Sequence, residues 1–440
     1  MTNSDDQIAL LKRIAERTAC VTIIGLGYVG LPLAVEFARS GLVVVGIDVD
    51  KEKVEALNAG RSYILDVPDE TVQALVATGK LSATTDAASL QEADAAIICV
   101  PTPLSKSRDP DISYILAATE EVARYAHHDM LVVLESTTYP GTTEEILLPR
   151  FESAGFEIGG NFFLAFSPER IDPANPSFGV RNTPKVVGGI TPQCTRVATE
   201  LYQCAVDQIV PVSSARAAEM VKLLENTFRA VNIGLVNEFA LICDRLGLDV
   251  WEVIEAASTK PYGFTPFYPG PGLGGHCLPI DPLYLSWKLK TLKYNTRFIE
   301  LADRINSEMP YHVVEKITVA LNARRQAVKG SRILVLGVAY KRDVSDARES
   351  PALEIMNLLA ERGAELSYHD PYIPHLRYDN WSLDSVTLTP EVLSGADCIV
   401  IVTDHTCIDW QLVVSHAQLI IDTRNVLRNV PTGRAQVVKL

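Results

Sequence analysis

The apolar segment CVTII (residues 20–24) runs directly into Gly25-Leu26-Gly27-Tyr28-Val29-Gly30, and the stretch LVVVGID that follows a helical pattern ends in Asp48. Three glycines at this spacing, between a strand pattern and a helix pattern, leave a chain few alternatives. Gly25 permits a tight turn, Gly27 lets a ligand approach bare main chain, and Gly30 lets the helix pack close to the strand. The new helix then aims unpaired N–H groups and the positive end of its dipole at whatever lies over the turn, an arrangement that suits a pyrophosphate. Asp48 accepts hydrogen bonds from a ribose and its charge repels a 2′-phosphate, which favours NAD over NADP, with Lys53 working against that repulsion. The alternative is a glycine turn of structural purpose alone.

Around this motif the chain reads α/β, then helical, then α/β again. VTIIG, LVVVGID, AAIICV and MLVVLES read as strands alternating with helices, the pattern of a parallel sheet. From Ser213 to Leu246 one helical pattern places Val221, Leu224, Phe228, Val231, Leu235 and Phe239 three and four residues apart, and Gly247 stands where it should end. A second α/β series begins at Arg332 with RILVLG and continues through AELSYHD, ADCIVIVTD and QLIIDTRN. The expected fold class is α/β, with two Rossmann-like doubly wound parallel-sheet domains joined by a long central helix in an all-helical middle domain. The expected boundaries are 1–210, 211–325 and 326–440, and 440 residues with 47% hydrophobic content support that many cores. Near the start, Ile8, Leu11 and Ile14 predict a short amphipathic helix.

Charge and cysteine usage exclude several functions. A net charge of −14 without a basic run argues against nucleic acid and against an anionic membrane surface. No apolar run reaches the roughly 20 residues of a membrane span, and the charged N-terminus differs from a secretory leader, so a cytoplasmic location is expected. Cysteines at 20, 99, 194, 204, 243, 277, 398 and 407 include no pair at metal-ligand spacing, and the histidines form no ligand pattern, so no metal is expected. Cys20, Cys99 and Cys398 lie in or beside strand patterns, where cysteine acts as a small hydrophobe.

Cys277 alone sits among glycines, in GPGLGGHCLPIDP (270–282). Such a cluster marks either a sharp turn holding a buried thiol or a place where a ligand meets main chain. On the long helix Lys222, Asn226 and Arg229 share a face, either lining a cleft or solvated beside Glu219 and Glu225. A thiol, a lysine, an amide and the carboxylate of Asp281 form the set that acyl-thioester chemistry uses. The second α/β half has RILVLGVAYK with a single glycine, so it binds a nucleotide in another manner or binds none. Lys341, Arg342 and Arg348 past that strand make either a phosphate site or an ordinary charged loop.

In order along the chain stand GLGYVGLP, CVPTP, ESTTYPGTTEE, SPERI, KLLENTFR, GPGLGGHC with Asp281-Pro282, and AYKRDVSDARESP. Together, from about residue 20 to 425, they resemble the nucleotide-sugar 6-dehydrogenases acting on UDP-glucose, GDP-mannose and UDP-N-acetylhexosamines. SPERI, PGPGLGGHC and DPLYLSWK look most like the branch that oxidises UDP-N-acetylglucosamine, and His276 stands where the UDP-glucose branch typically has serine. The resemblance implies oxidation of a primary alcohol to a carboxylate by two NAD in turn, through a thiohemiacetal and a thioester on Cys277. It implies that Lys222 and Asn226 hold the oxyanion and anchor a water, that Asp281 orients that water or helps ionise the thiol, and that Glu169 and Thr137 serve as proton acceptor and water anchor.

Cofactor contacts implied are Gly25, Gly27, Tyr28, Val29, Gly30, Asp48, Lys53, Pro101, Thr102, Thr137 and Arg348. Substrate contacts implied are Glu169, Arg170, Lys222, Asn226, the loop with Phe267, Tyr268, Gly270 and Gly275, and Tyr340 with Lys341 at the UDP. A side chain at Gly274 or Gly275 would fill space the substrate needs. The resemblance also makes the central helix the interface of a homodimer or higher oligomer, and surface polysaccharide the destination of the uronate. Two other readings share parts of this pattern: a two-electron hydroxyacid dehydrogenase indifferent to Cys277, and a non-enzymatic NAD-binding regulator with a redox-sensitive thiol.

Overall fold

CVTII forms β1 (Cys20–Ile24), the strand from which the first sheet is built outward on both sides. The computed structural model describes residues 9–64, 66–103, 110–172, 175, 177–275, 277–378, 381–431, 433 and 435–440. They fall into two units, one ending at Glu225 and including Trp287–Leu292, the other formed by Asn226–Ser286 and Lys293–Leu440. Among the described residues no helix is long and apolar enough to cross a membrane.

In the first unit β2 (Val43–Ile47), β3 (Leu81–Thr84), β4 (Ala95–Ile98), β5 (Met130–Leu134), β6 (Phe162–Phe166), β7 (Lys185–Gly189) and β8 (Ile209–Pro211) join β1 in the order β3-β2-β1-β4-β5-β6-β7-β8. All neighbours run parallel except β6 and β7. AAII, MLVVL and FFLAF are buried along their whole length, as strands covered on both faces must be. β1, β2, β4 and β5 fall on the segments read as strands. The sequence reading did not identify β3, β6, β7 or β8. The helix Ala9–Ala15 buries Leu10 and Ile14, while Leu11 is half-buried. Its apolar face therefore follows an i, i+4 step rather than the 8, 11, 14 series, and Ile8 lies outside the described residues.

In the second unit β9 (Arg332–Leu336), β10 (Glu365–His369), β13 (Cys398–Ile401), β14 (Leu419–Asp422) and β15 (Gln436–Lys439) form an all-parallel sheet in the order β10-β9-β13-β14-β15. The strands β11 (His375–Tyr378) and β12 (Trp381–Asp384) make a separate antiparallel pair. In each large sheet the strand order reverses beside the first strand, between β1 and β4 and between β9 and β13, which opens a crevice at the carboxyl ends.

The long helix spans Ala215–Leu246 and stops at Gly247, whose φ is +69°. Ala215, Ala218, Leu223, Ala230, Val236, Ala240 and Cys243 are its buried apolar residues. Leu224, Phe228, Leu235 and Phe239, which carry the three-and-four spacing in the sequence, are instead 45–64% exposed.

Each crevice has a glycine at its mouth. A Cβ on Gly25 would lie 2.6 Å from the Cys99 carbonyl oxygen, and one on Gly337 would lie 2.2 Å from the Thr403 carbonyl oxygen. Gly337 has φ +78°, and so has Gly330, around which the space is open. Gly330→Ala therefore carries only the left-handed backbone penalty of about 1 kcal/mol, whereas Gly337→Ala adds a backbone collision and lowers stability by roughly 2 to 4 kcal/mol. Urea unfolding of the two variants side by side measures the difference.

Candidate active site

In the first unit the six-residue turn after β1 has the features the fingerprint demands. A Cβ on Gly30 would fall 1.8 Å from the Gly25 carbonyl oxygen, so that helix and turn touch through bare backbone. A Cβ on Gly27 would meet nothing within 4 Å, so its missing side chain leaves open space over the turn. The helix Gly30–Arg39 starts from Val29 with no side chain capping its N–H groups, and Tyr28 beside it is exposed. Asp48, buried at the end of β2, accepts the Leu26 N–H on Oδ2 (2.8 Å) and the Asp50 N–H on Oδ1 (2.9 Å). A carboxylate has about four acceptor sites, so two remain for ribose hydroxyls. Lys53 Nζ is 3.7 Å from the same carboxylate. Tyr63, absent from the sequence reading, donates its hydroxyl to the Leu26 carbonyl (2.9 Å) and fixes the turn from a second side. Pro101 and Thr102 follow β4 on the other side of the crevice. An uncapped helix start, open space at Gly27 and a carboxylate with acceptor capacity left fit NAD.

The same unit holds Thr137, Glu169, Arg170 and Lys222. The Lys222 ammonium donates to the Thr137 hydroxyl. Glu219, one turn earlier on the helix, accepts from the Gly141 and Thr143 N–H groups and the Thr143 hydroxyl, which ties the segment after Thr137 to the helix. Burial pushes the Glu219 carboxyl up to about 7 despite those bonds from Gly141 and Thr143. Glu169 is buried, and its Oε1 accepts the N–H groups of Arg170 and Ile171, both at 2.7 Å. Burial alone would raise the Glu169 carboxyl; Lys185, the Ile171 N–H and Lys222 outweigh it and hold the group below the usual carboxylate range. The Arg170 guanidinium is engaged by Glu225, Nη2–Oε1 at 2.7 Å and Nε–Oε2 at 3.2 Å, and donates to the Pro184 carbonyl at 2.6 Å. Glu225 thus pairs with SPERI rather than along its own helix face.

In the second unit Asn226, Cys277 and Asp281 come together. The Cys277 carbonyl accepts the N–H groups of Ile280 (3.1 Å) and Asp281 (2.8 Å), so the cysteine sits in the turn that leads into the helix Asp281–Thr291. Asp281 is buried and accepts from the Asn226 side-chain amide at 2.5 Å. His276 lies outside the described residues. All eight cysteines are thiols, and Cys277 is half-buried. Cys99 and Cys398 are buried as strand hydrophobes should be; Cys20 is only half-buried, and Cys407 is exposed, a setting the sequence reading did not give it.

The loop before Cys277 is pinned by polar and aromatic contacts. Asn237 accepts the Gly270 N–H (2.9 Å) and donates to Asn306 (2.8 Å), which donates to the Ala230 carbonyl (3.1 Å). Phe267 meets Phe228 edge-on and Tyr268 stacks on Trp251. Cβ atoms on Gly274 and Gly275 would come within 2.9 and 2.8 Å of Tyr340, and Gly275 donates its N–H to the Arg348 carbonyl. These two glycines admit Tyr340, a packing reason that the sequence reading had assigned to substrate space. The Arg424 guanidinium, which the sequence reading also missed, lies 2.7 Å from where a Gly270 Cβ would stand and donates to the Val402 carbonyl. Its signal was its place after β14, at a carboxyl end. Of the three cations past β9, Arg342 is paired with Asp404 and Arg348 with Asp346; Lys341 is half-buried beside Tyr340.

Comparison with known proteins covers most of the chain. Residues 19–206 match the UDP-glucose/GDP-mannose dehydrogenase family NAD binding domain, 216–308 its central domain, and 334–429 its UDP binding domain. The UDP-N-acetyl-D-mannosamine dehydrogenase of Pyrococcus horikoshii is 37% identical over 419 residues, covering 94% of this chain and 97% of the relative. The UDP-N-acetyl-D-glucosamine 6-dehydrogenase of Pseudomonas aeruginosa is 36% identical over 355 residues, 80% of this chain and 83% of the relative. The solved structure of the Pyrococcus horikoshii UDP-D-ManNAc dehydrogenase superposes with a TM-score of 0.87 at 36% identity, covering 96% of this chain and 98% of that one.

The glycine geometry separates folding from binding. Gly27→Ala leaves thermal stability unchanged, because its Cβ meets nothing, and weakens NAD binding by at least about tenfold; Gly30→Ala instead destabilises the unit itself. Differential scanning fluorimetry with and without NAD distinguishes the two.

Proposed function

Because the chain belongs to the UDP-glucose/GDP-mannose dehydrogenase family of NAD-dependent nucleotide-sugar dehydrogenases, we propose that its substrate is a UDP-N-acetylhexosamine, UDP-N-acetylglucosamine first. C6 is oxidised to the carboxylate by way of Cys277. The observation that carries this reading is the buried carboxylate of Asp281, held by the Asn226 amide, one turn after the half-buried thiol. Charge and amide in that setting serve a thiol that forms and releases an acyl group, not an inert core cysteine.

When bound, NAD accepts hydride, and the four-electron oxidation takes two molecules in turn. The turn Gly25–Gly30, Asp48, Lys53, Pro101, Thr102 and Thr137 hold it, and Arg348 belongs to the same assignment. The alcohol first loses a hydride and a proton to become the aldehyde. The Cys277 sulfur then adds to the carbonyl carbon, and the oxygen takes up a proton as a thiohemiacetal. Loss of a second hydride and that proton leaves a thioester, and water cleaves it to the acid and the thiol. Lys222 steadies the oxyanion and Thr137 fixes the lysine and a water. Asn226 and Asp281 orient the attacking water, and Glu169 takes its proton.

Arg170 enters with its guanidinium already on Glu225, so its part is to fix SPERI against the long helix. Phe267, Tyr268, Gly270 and Gly275 bound the sugar, and Tyr340 with Lys341 meets the UDP. The domain boundaries 1–210, 211–325 and 326–440, the cytoplasmic location and the use of the uronate in surface polysaccharide go with this reading.

A second substrate, UDP-N-acetylmannosamine, has its own support in the name of the Pyrococcus horikoshii relative. NADH release from UDP-GlcNAc, UDP-ManNAc, UDP-GalNAc and UDP-glucose measured side by side decides between them: the expected result is two NADH per sugar and the highest kcat/KM with UDP-GlcNAc. Cys277→Ala is expected to lower uronate formation by about a thousandfold or more. Uronate made by that variant at the normal rate would falsify the thioester route.

The exposed series Phe228, Leu235, Phe239, Ile242 and Leu246 along one helix is the surface of a homodimer in this reading. Phe239→Asp is expected to weaken self-association by about a hundredfold or more, read by sedimentation velocity across a concentration series.

A further inference from the structure

Behind Glu169, in the first unit, lies a buried cluster of charge whose other members have no part in the chemistry above. Lys185, the first residue of β7, is buried, and its Nζ lies 2.9 Å from Glu135 Oε2 and 3.2 Å from Glu169 Oε2. Glu135 directly follows β5, and its other oxygen accepts the hydroxyl of Tyr202, a buried residue of the helix Pro192–Tyr202. The lysine also sits over the Tyr202 ring, 5.2 Å from its centre. Three strands and a helix therefore converge on one ammonium group with two carboxylates on it.

A lysine buried this deeply is costly unless its charge is matched, and here it is matched by one carboxylate more than it needs. Burial alone would pull the Lys185 ammonium down, yet Glu135 and Glu169 hold it above the ordinary lysine range, so the charge stays on the lysine. Burial pushes the Glu135 carboxyl up, against the pull of Lys185, while Glu169 is held low. The two carboxylates share one cation unequally, and the difference is geometric. Glu169 has two backbone N–H donors as well as the lysine, whereas Glu135 has only the lysine and a phenol. The other titratable groups whose charge reaches this cluster are Lys222 and Cys99.

We propose that Lys185 is a positioning residue for the reaction, fixing the charge and direction of the Glu169 carboxylate from behind, with Glu135 as the competitor that limits how strongly it does so. This inference rests on the assignment of Glu169 as the proton acceptor in thioester hydrolysis. Lys185 and the N–H groups of Arg170 and Ile171 occupy three of the acceptor sites of the Glu169 carboxylate, which leaves one lone pair for a water. A plain structural ion pair would hold the strands together equally well, but it would not couple the two carboxylates in opposite directions.

That coupling is the test. Thioester hydrolysis is followed from about pH 3 to 9 by rapid quench and intact-mass detection of the Cys277 adduct, so that limbs below the usual carboxylate range are seen. Lys185→Met is expected to move the acidic limb of the rate profile upward by one pH unit or more, because Glu169 loses its cation. Glu135→Gln is expected to move the same limb downward, because the lysine is left to Glu169 alone, and Lys185→Arg is expected to stay near the parent profile. Limbs that coincide with the parent, or that shift in the same direction in both variants, overturn the proposal. If Lys185→Met does not fold, Glu135→Gln decides alone: a downward limb supports the proposal and an unmoved limb overturns it. Glu169→Gln separates the two levels. If it hydrolyses the adduct normally, the role given to Glu169 is wrong and the proposal falls with it; if it stalls the adduct while the limbs of the other variants stay fixed, only the role of Lys185 is wrong.

Discussion

A carboxylate at the end of one strand that accepts backbone N–H groups just past the neighbouring strand sets the geometry of both sheets. Asp48 after β2 takes the Leu26 N–H, and Asp370 after β10 takes the N–H groups of Val338 and Ala339 at 2.7 and 2.9 Å. Each bond holds open the turn that follows the first strand of its sheet, at the crevice where the strand order reverses. The glycine that starts each turn then comes against the carbonyl at the end of the strand across the crevice, Cys99 in one case and Thr403 in the other. Without the carboxylate the turn has N–H groups with no partner; without the glycine it has a side chain with no room.

The two halves differ in what is left over after that service. Asp48 accepts two N–H groups and keeps acceptor capacity. Asp370 also accepts from Tyr372, Ile373 and the Nε2–H of buried His405, whose Nδ1 in turn accepts the Asp343 N–H. Five donors saturate the Asp370 carboxylate, so the counterpart of Asp48 in the second sheet has no acceptor site left to offer a ribose. This is the physical content of the single glycine in RILVLGVAYK: the fold repeats, while the ribose-binding feature is spent internally.

What was legible in the sequence was what depends on neighbours close along the chain. GLGYVG, the strands β1, β2, β4 and β5, the long helix and its stop at Gly247 all follow from local spacing. β6 was not identified, although FFLAF is an apolar run buried throughout like AAII and MLVVL, because such a run can equally be a piece of a buried helix. The buried face of the long helix was not legible for a related reason. Period alone marks a stripe at Leu224, Phe228, Leu235 and Phe239, yet a helix with apolar residues on two faces leaves open which one the subunit itself covers. The partners of charged residues were the least legible: Arg170 finds Glu225 across 55 residues, and Lys288 finds Glu145 across 143.

The same distance rule explains why a reacting group shows itself in sequence while its support does not. Cys277 is conspicuous because glycines crowd the sequence just before it, and the reason for Gly274 and Gly275 is contact with Tyr340, a residue 63 positions on from Cys277 that the motif does not mention. Glu169 is conspicuous as part of SPERI, but the lysine behind it stands in PKVVGG, where one charged residue opening an apolar strand reads as an edge position. A charge at the start of a strand is ordinarily solvated. It is buried here only because Glu135 and Glu169 arrive from two other strands, each separately unremarkable, and a buried ammonium without them would cost several kcal/mol. Burial of the lysine and ionisation of Glu169 are thus one energetic fact, distributed over residues 135, 169, 185 and 202, and only the folded chain brings its parts together.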